Sequence, residues 1–123
     1  MILLDTNAIL YLATGHRRAR PLVAFAGRLR ASPVSLFELQ MLSELDKLRW
    51  RRPDIRRAFD DDPRWVVDDP TIASLVGQAL TLGWTRDPFD RLLVAHARLR
   101  GFRLATSDTV ILERLDPRDV LEL

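Results

Sequence analysis

The chain has 123 residues, 47% hydrophobic and 29% charged, a balance expected of one soluble globular domain spanning residues 1–123. It has no cysteine, no basic, apolar signal segment at Met1–Asp5 and no apolar run near the ~20 residues of a membrane span. These features exclude disulfides and thiolate metal sites and lead us to expect a cytoplasmic protein without a membrane partner. The net charge is only +2, but the positive charge is nearly all arginine and gathers at Arg17, Arg18 and Arg20 and again at Arg49, Arg51, Arg52, Arg56 and Arg57.

Met1 to Leu4 is a short apolar run that ends in Asp5, which reads as a strand delivering a carboxylate to its carboxyl end. Thr6 to Ala13 continues as a helix with Asp5 at its N-cap, and Gly15-His16-Arg17-Arg18 breaks it. Residues 19–29 resume a helical stripe through Leu22, Val23, Phe25, Ala26 and Leu29, and a second strand is expected within Leu29–Val34. Ser35 opens a long helix to about Trp50, with Leu42, Leu45 and Leu48 inward and Glu38 at capping-box spacing from Ser35. A polar stretch from Arg51 to Pro63 holds a short helix, and Trp65-Val66-Val67 forms a third strand.

A helix follows from Thr71 to about Leu82, with Gly83 as its stop. Asp87-Pro88-Phe89-Asp90 begins the next helix, with Asp at the N-cap and Pro at the first helical position, and it runs to Gly101. Phe102 to Ala105 is a strand leading to Thr106-Ser107-Asp108, and a helix over 108–114 and a strand near Val120-Leu121 complete the chain. Strands alternating with helices imply a mostly parallel sheet covered on both faces, an α/β/α sandwich.

Asp5, Glu38, Asp90 and Asp108 fall at element junctions, with Asp87 a fifth candidate. Each alone has a capping role to explain it. Jointly, the parallel sheet carries Asp5 and Asp108 to one edge, and Glu38 and Asp90 lie in the first turns of helices that start there. Several inward carboxylates repel one another unless a cation neutralises them, and oxygen donors of this kind favour Mg²⁺ or Mn²⁺. His96 lies at helical spacing from Phe89, Leu92 and Leu93, which favours packing over a role as a base, and His16 reads as a surface residue.

The segments Leu3-Leu4-Asp5-Thr6-Asn7, Ser35-Leu36-Phe37-Glu38-Leu39, Asp87 to Ala97 and Leu104 to Asp108 together resemble the PIN-domain family, and within it the VapC-type toxins of toxin–antitoxin pairs. The resemblance spans essentially the whole chain. It implies a three-layer sandwich and a metal-dependent ribonuclease that hydrolyses phosphodiester bonds through a metal-activated water, with Asp5, Glu38, Asp90 and Asp108 as catalytic and metal-binding residues and Mg²⁺ (alternatively Mn²⁺) as cofactor. Asp87, Thr6, Asn7, Thr106 and Ser107 would be auxiliary, and Arg17, Arg18, Arg51 and Arg52 would grip RNA phosphates. An antitoxin partner and a homodimer are further implications, with the apolar sides of the 19–29 and 35–50 helices as the docking region. A nuclease outside a toxin–antitoxin pair and a silent RNA-binding module stay open. Two other classes fit poorly: a haloacid-dehalogenase-like phosphatase needs an acid where Asn7 stands, and a receiver needs a late lysine where Lys47 is the only lysine.

Overall fold

The computed structural model describes residues 1–49 and 54–123. Five parallel strands, β1 (Ile2–Leu4), β2 (Leu29–Ala31), β3 (Val66–Val67), β4 (Arg103–Thr106) and β5 (Val120–Glu122), form one sheet in the order β3-β2-β1-β4-β5. Six α-helices connect them: α1 (Thr6–Thr14), α2 (Pro33–Glu44), α3 (Ile55–Asp60), α4 (Ile72–Ala79), α5 (Pro88–Arg100) and α6 (Thr109–Arg114). The chain winds outward from β1 through β2 to β3, then crosses back to β4 and β5. The order therefore reverses between β1 and β4, and a crevice opens there at the strands' carboxyl ends.

β1 is the centre because all three of its residues are apolar and buried on both faces, as an inner parallel strand requires. Alternation divides them: Ile2 and Leu4 pack with Ile9, Leu39, Phe59 and Trp65, whereas Leu3 packs with Leu75, Leu82, Val94 and Ile111. Leu104 and Ala105 of β4 continue these two faces, in register with Leu3 and Leu4. Two apolar cores separated by one sheet make the three-layer sandwich expected from the sequence.

Several boundaries differ from the sequence reading. β2 ends at Ala31, because Ser32 leaves the sheet to cap α2 through its hydroxyl, which accepts from the Val34 N–H at 3.2 Å, with Pro33 in the first turn. Ser35 is thus inside the helix and buried, and the Ser35–Glu38 capping box does not form. α2 stops at Glu44, where Leu45 is 60% exposed rather than inward and Asp46 takes a left-handed φ of 56°. The expected helix end near Trp50 falls outside the described residues, as do Arg51 and Arg52. Residues 17–25 form a 3₁₀ helix instead of an α-helical stripe, since Pro21 lies inside it and only Leu22 is buried. α4 ends at Ala79, so Gly83 is not its stop.

Candidate active site

Three of the five candidate carboxylates do cap helices. Asp5 leaves β1 in an extended conformation, and its Oδ1 accepts from the Ala8 N–H at 2.7 Å at the start of α1. Its own backbone N–H donates to Ala105 O of β4 at 3.1 Å, which fixes the acid at the β1–β4 crevice. Asp108 caps α6, with Oδ1 accepting from Ile111 N at 3.0 Å. Asp87 caps α5 through one oxygen that accepts from both Phe89 N (2.9 Å) and Asp90 N (3.0 Å). The other two acids have no such duty: Ser32 serves α2 in place of Glu38, and Asp90 stands in the first turn of α5 behind Asp87.

Hydroxyl groups organise the rim. Thr106, buried at the end of β4, accepts from the Asp108 N–H at 3.0 Å and so sets the turn that presents Asp108. Thr6 is buried and donates to Ser35 Oγ at 3.2 Å, joining α1 to α2 beside Glu38. Ser107 shares a 3.0 Å hydrogen bond with the Tyr11 hydroxyl. Asn7 is exposed on α1. Ser35 was read from the sequence only as a helix start, and Tyr11 was not singled out, since a contact across 96 positions leaves no local signal.

The electrostatics join the acids into one group. Burial pushes the Asp5 carboxyl up to about 6, against the Thr106 hydroxyl and the Ala8 N–H, and the charges of Glu38 and Asp108 push it further. Asp90 is raised to about 7 by burial and then by Asp87, Asp108, Glu38 and Asp5. Glu38 is also raised, by burial and by Asp87, with the Thr6 hydroxyl opposing. Among the described residues, the largest influences on these three acids are burial, hydrogen bonds and other carboxylates, and none of the three forms a salt bridge. An oxygen-only set with unrelieved repulsion suits a hard divalent cation. Among the described residues no group of three or more His, Cys, Asp or Glu side chains is already arranged to hold a metal ion. Mg²⁺ does not demand that, because it keeps several waters and takes few protein ligands.

His96 lies elsewhere. Its ring is fully buried, Nε2 is 2.7 Å from Asp68 Oδ2, and burial pushes its pKa down despite that partner. Arg17 and Arg18 are exposed on the 3₁₀ helix that follows α1.

A family profile described as PIN domain matches residues 2–116. Ribonuclease VapC22 of Mycobacterium tuberculosis is 28% identical, over 97% of this chain and 95% of its own length. Among solved structures, a chain of VapBC2 from Rickettsia felis bound to a DNA fragment from their promoter superposes with a TM-score of 0.69 at 22% identity, covering 99% of this chain and 98% of its own. A chain of a toxin–antitoxin complex from Klebsiella pneumoniae gives 0.68 at 15% identity over the full length of both.

Proposed function

The chain belongs to the PIN-domain family, and from that premise we propose that it is a divalent-metal-dependent endoribonuclease serving as the toxin of a type II toxin–antitoxin pair. The observation that carries the reading is the mutual repulsion of Asp5, Glu38, Asp87, Asp90 and Asp108 at the β1–β4 crevice, where among the described residues none of these five acids forms a salt bridge. Clustered carboxylates repel one another unless protons or a cation neutralise them.

Asp5 and Asp90 would hold the cation directly, with Asp108 contributing directly or through water. When bound, the cation supplies Lewis acidity that acidifies water and offsets negative charge on the phosphate. Asp5 is suited to this because capping occupies Oδ1 and the carboxylate has a second oxygen. Glu38 is bound to no helix end, and its raised pKa suits it to orient a water and accept its proton. Thr6, which is hydrogen-bonded to Ser35, steadies Glu38, and Asp87 holds the first turn of α5 that aims Asp90. Thr106 sets the Asp108 turn. Mg²⁺ is the cation proposed, with Mn²⁺ as the alternative.

The partner reading rests on exposed apolar surface. Exposed Phe37 and Met41 on α2 are followed at the same four-residue spacing by Leu45 just past its end, and Ile72 and Val76 on α4 by Leu80 just past its end. Phe37 and Ile72 face a groove of about 570 Å³ whose lining includes Leu75, Phe89 and Leu92. We assign the α2 stripe, with the exposed Val23, to an antitoxin segment and the α4 stripe to a second copy of the chain. The decisive experiment is cleavage-site mapping on total RNA with wild-type and Asp5→Asn protein, with Mg²⁺ and with EDTA. Cleavage confined to wild type with Mg²⁺ is expected; equal cleavage by Asp5→Asn, or in EDTA, refutes the mechanism.

A further inference from the structure

We propose that the stacked rings of Tyr11 and His16, with Arg17 and Arg18 beside them, form a seat for one unpaired nucleotide of the RNA strand. The choice of RNA rests on the ribonuclease reading above; the seat rests on geometry of its own.

The two rings lie 4.8 Å apart between centroids at an interplanar angle of 28°. Local structure explains the contact. α1 ends at Gly15, whose φ of 66° turns the chain back, and the His16 N–H then donates to Tyr11 O at 2.9 Å. This return lays the imidazole on the phenol. His16 Nδ1 accepts from Arg18 N at 3.1 Å, which orients the ring. His16 is exposed, so one face of its ring rests on Tyr11 and the other meets solvent.

The pair is tied to the carboxylate edge. The Tyr11 hydroxyl is 3.0 Å from Ser107 Oγ, and Ser107 sits between Thr106 and Asp108. A nucleotide stacked on His16 would therefore be linked through Tyr11 to the end of β4 that precedes Asp108. The neighbouring charges complete the seat. Arg56, Arg57, Arg64, Arg100 and Arg118 each form an ion pair with an aspartate. Among the described residues Arg17, Arg18 and Arg20 form none, although all three are exposed within one turn. Cations crowded together without internal partners repel one another and attract an anion such as a phosphate backbone. A free aromatic face next to unpaired arginines matches an unstacked base with its phosphates, whereas a duplex keeps its base faces covered.

Helix capping alone needs only the His16 acceptor, and two substitutions separate that role from stacking. His16→Asn keeps a capping side chain and removes the ring; His16→Phe keeps a ring and removes the acceptor. In an Asp5→Asn background, which leaves RNA intact, binding of a single-stranded oligoribonucleotide carrying 2-aminopurine is followed by anisotropy and by fluorescence quenching. We expect His16→Asn to weaken single-strand binding about 5- to 150-fold and to abolish the quenching, with His16→Phe near the parent in both. The same sequence as a duplex should bind weakly and respond to neither substitution. Undiminished binding and quenching in His16→Asn, or duplex binding as tight as single strand, overturns the seat. Cleavage by wild type with Mg²⁺ is measured in parallel. RNA bound through His16 but never cleaved removes the nuclease reading and keeps the seat; RNA cleaved with the same kcat/KM by His16→Asn does the reverse.

Discussion

The Nε2 atom of His96 stands 2.7 Å from Asp68 Oδ2, with the imidazole ring wholly buried and Arg100 Nε donating to the same oxygen at 2.9 Å. Asp68 closes β3 through its N–H to Ala31 O, so this contact pins the edge of the sheet to α5, the helix that carries Asp90. His96→Ala should destabilise the fold by about 2–4 kcal/mol, combining a cavity with the loss of a hydrogen bond to a charged group. Specific activity of the folded fraction should persist, which separates a packing histidine from a general base. Urea titration and cleavage assays on the same preparation measure both.

The pH dependence follows from opposite signs in two places. His96 has its folded pKa below the ordinary 6.5, so the unfolded chain takes up its proton first and stability is lost as pH falls below about 6.5. Asp5 and Asp90 have folded pKa values near 6 and 7, above the ordinary 3.8, so the folded chain binds more protons between pH 4 and 7. Their share of stability is present at low pH and is lost as pH rises through 6 to 7.

Metal-free protein should therefore melt lower at pH 8 than at pH 6.5, and Asp5→Asn should recover up to roughly 3 kcal/mol at pH 8, since asparagine also caps helices. Mg²⁺ should raise the wild-type melting temperature more at pH 8 than at pH 5.5, because protons compete for the same oxygens. A melting temperature that does not change between pH 6.5 and 8 in EDTA would contradict the clustered acids.

Thr106→Val keeps the strand packing but removes the hydroxyl that accepts from Asp108 N and lowers Asp5. RNA cleavage should drop about 10- to 100-fold, the usual cost of losing a group that orients a metal-binding residue, while the melting temperature changes little. Loss of activity in proportion to loss of folded protein would make Thr106 only a packing residue.

The two arginine groups should differ in salt response. Arg17→Ala and Arg18→Ala should each lower the slope of log K against log salt for single-stranded RNA by about 0.7. Arg56→Ala and Arg57→Ala should leave it nearly unchanged, because Asp60 and Asp61 already partner those side chains. Equal slopes for all four would mean that internal pairing does not select the RNA-binding arginines.

The exposed stripes make separable predictions. Phe37→Glu should prevent co-purification with a co-expressed antitoxin and leave the sedimentation coefficient of the free protein unchanged. Ile72→Glu with Leu80→Glu should convert a dimer into a monomer by sedimentation velocity. A free protein that is already monomeric as wild type would remove the dimer.

Periodicity and junction residues made most of this molecule legible in the sequence. The apolar run before Asp5, the Asp87-Pro88 helix start with its Gly101 stop, and the strand into Thr106 all appear where they were expected, because capping and burial are local or nearly so. The motifs resembling the PIN domain named the family over almost the whole chain. Where local signals competed, the reading failed: Ser32 with Pro33 outranked Ser35 as a helix start, and Pro21 turned a helical stripe into a 3₁₀ segment. The acids themselves were visible as residues, but not their state. Only the parallel order β3-β2-β1-β4-β5 brings Asp5 and Asp108 to one crevice, and only burial there raises Asp5 and Asp90 toward neutrality. Desolvation and Coulomb repulsion depend on what surrounds a charge in space, so tertiary structure alone decided that four separated carboxylates share one field, which arginines are left unpaired, and that Tyr11 reaches Ser107.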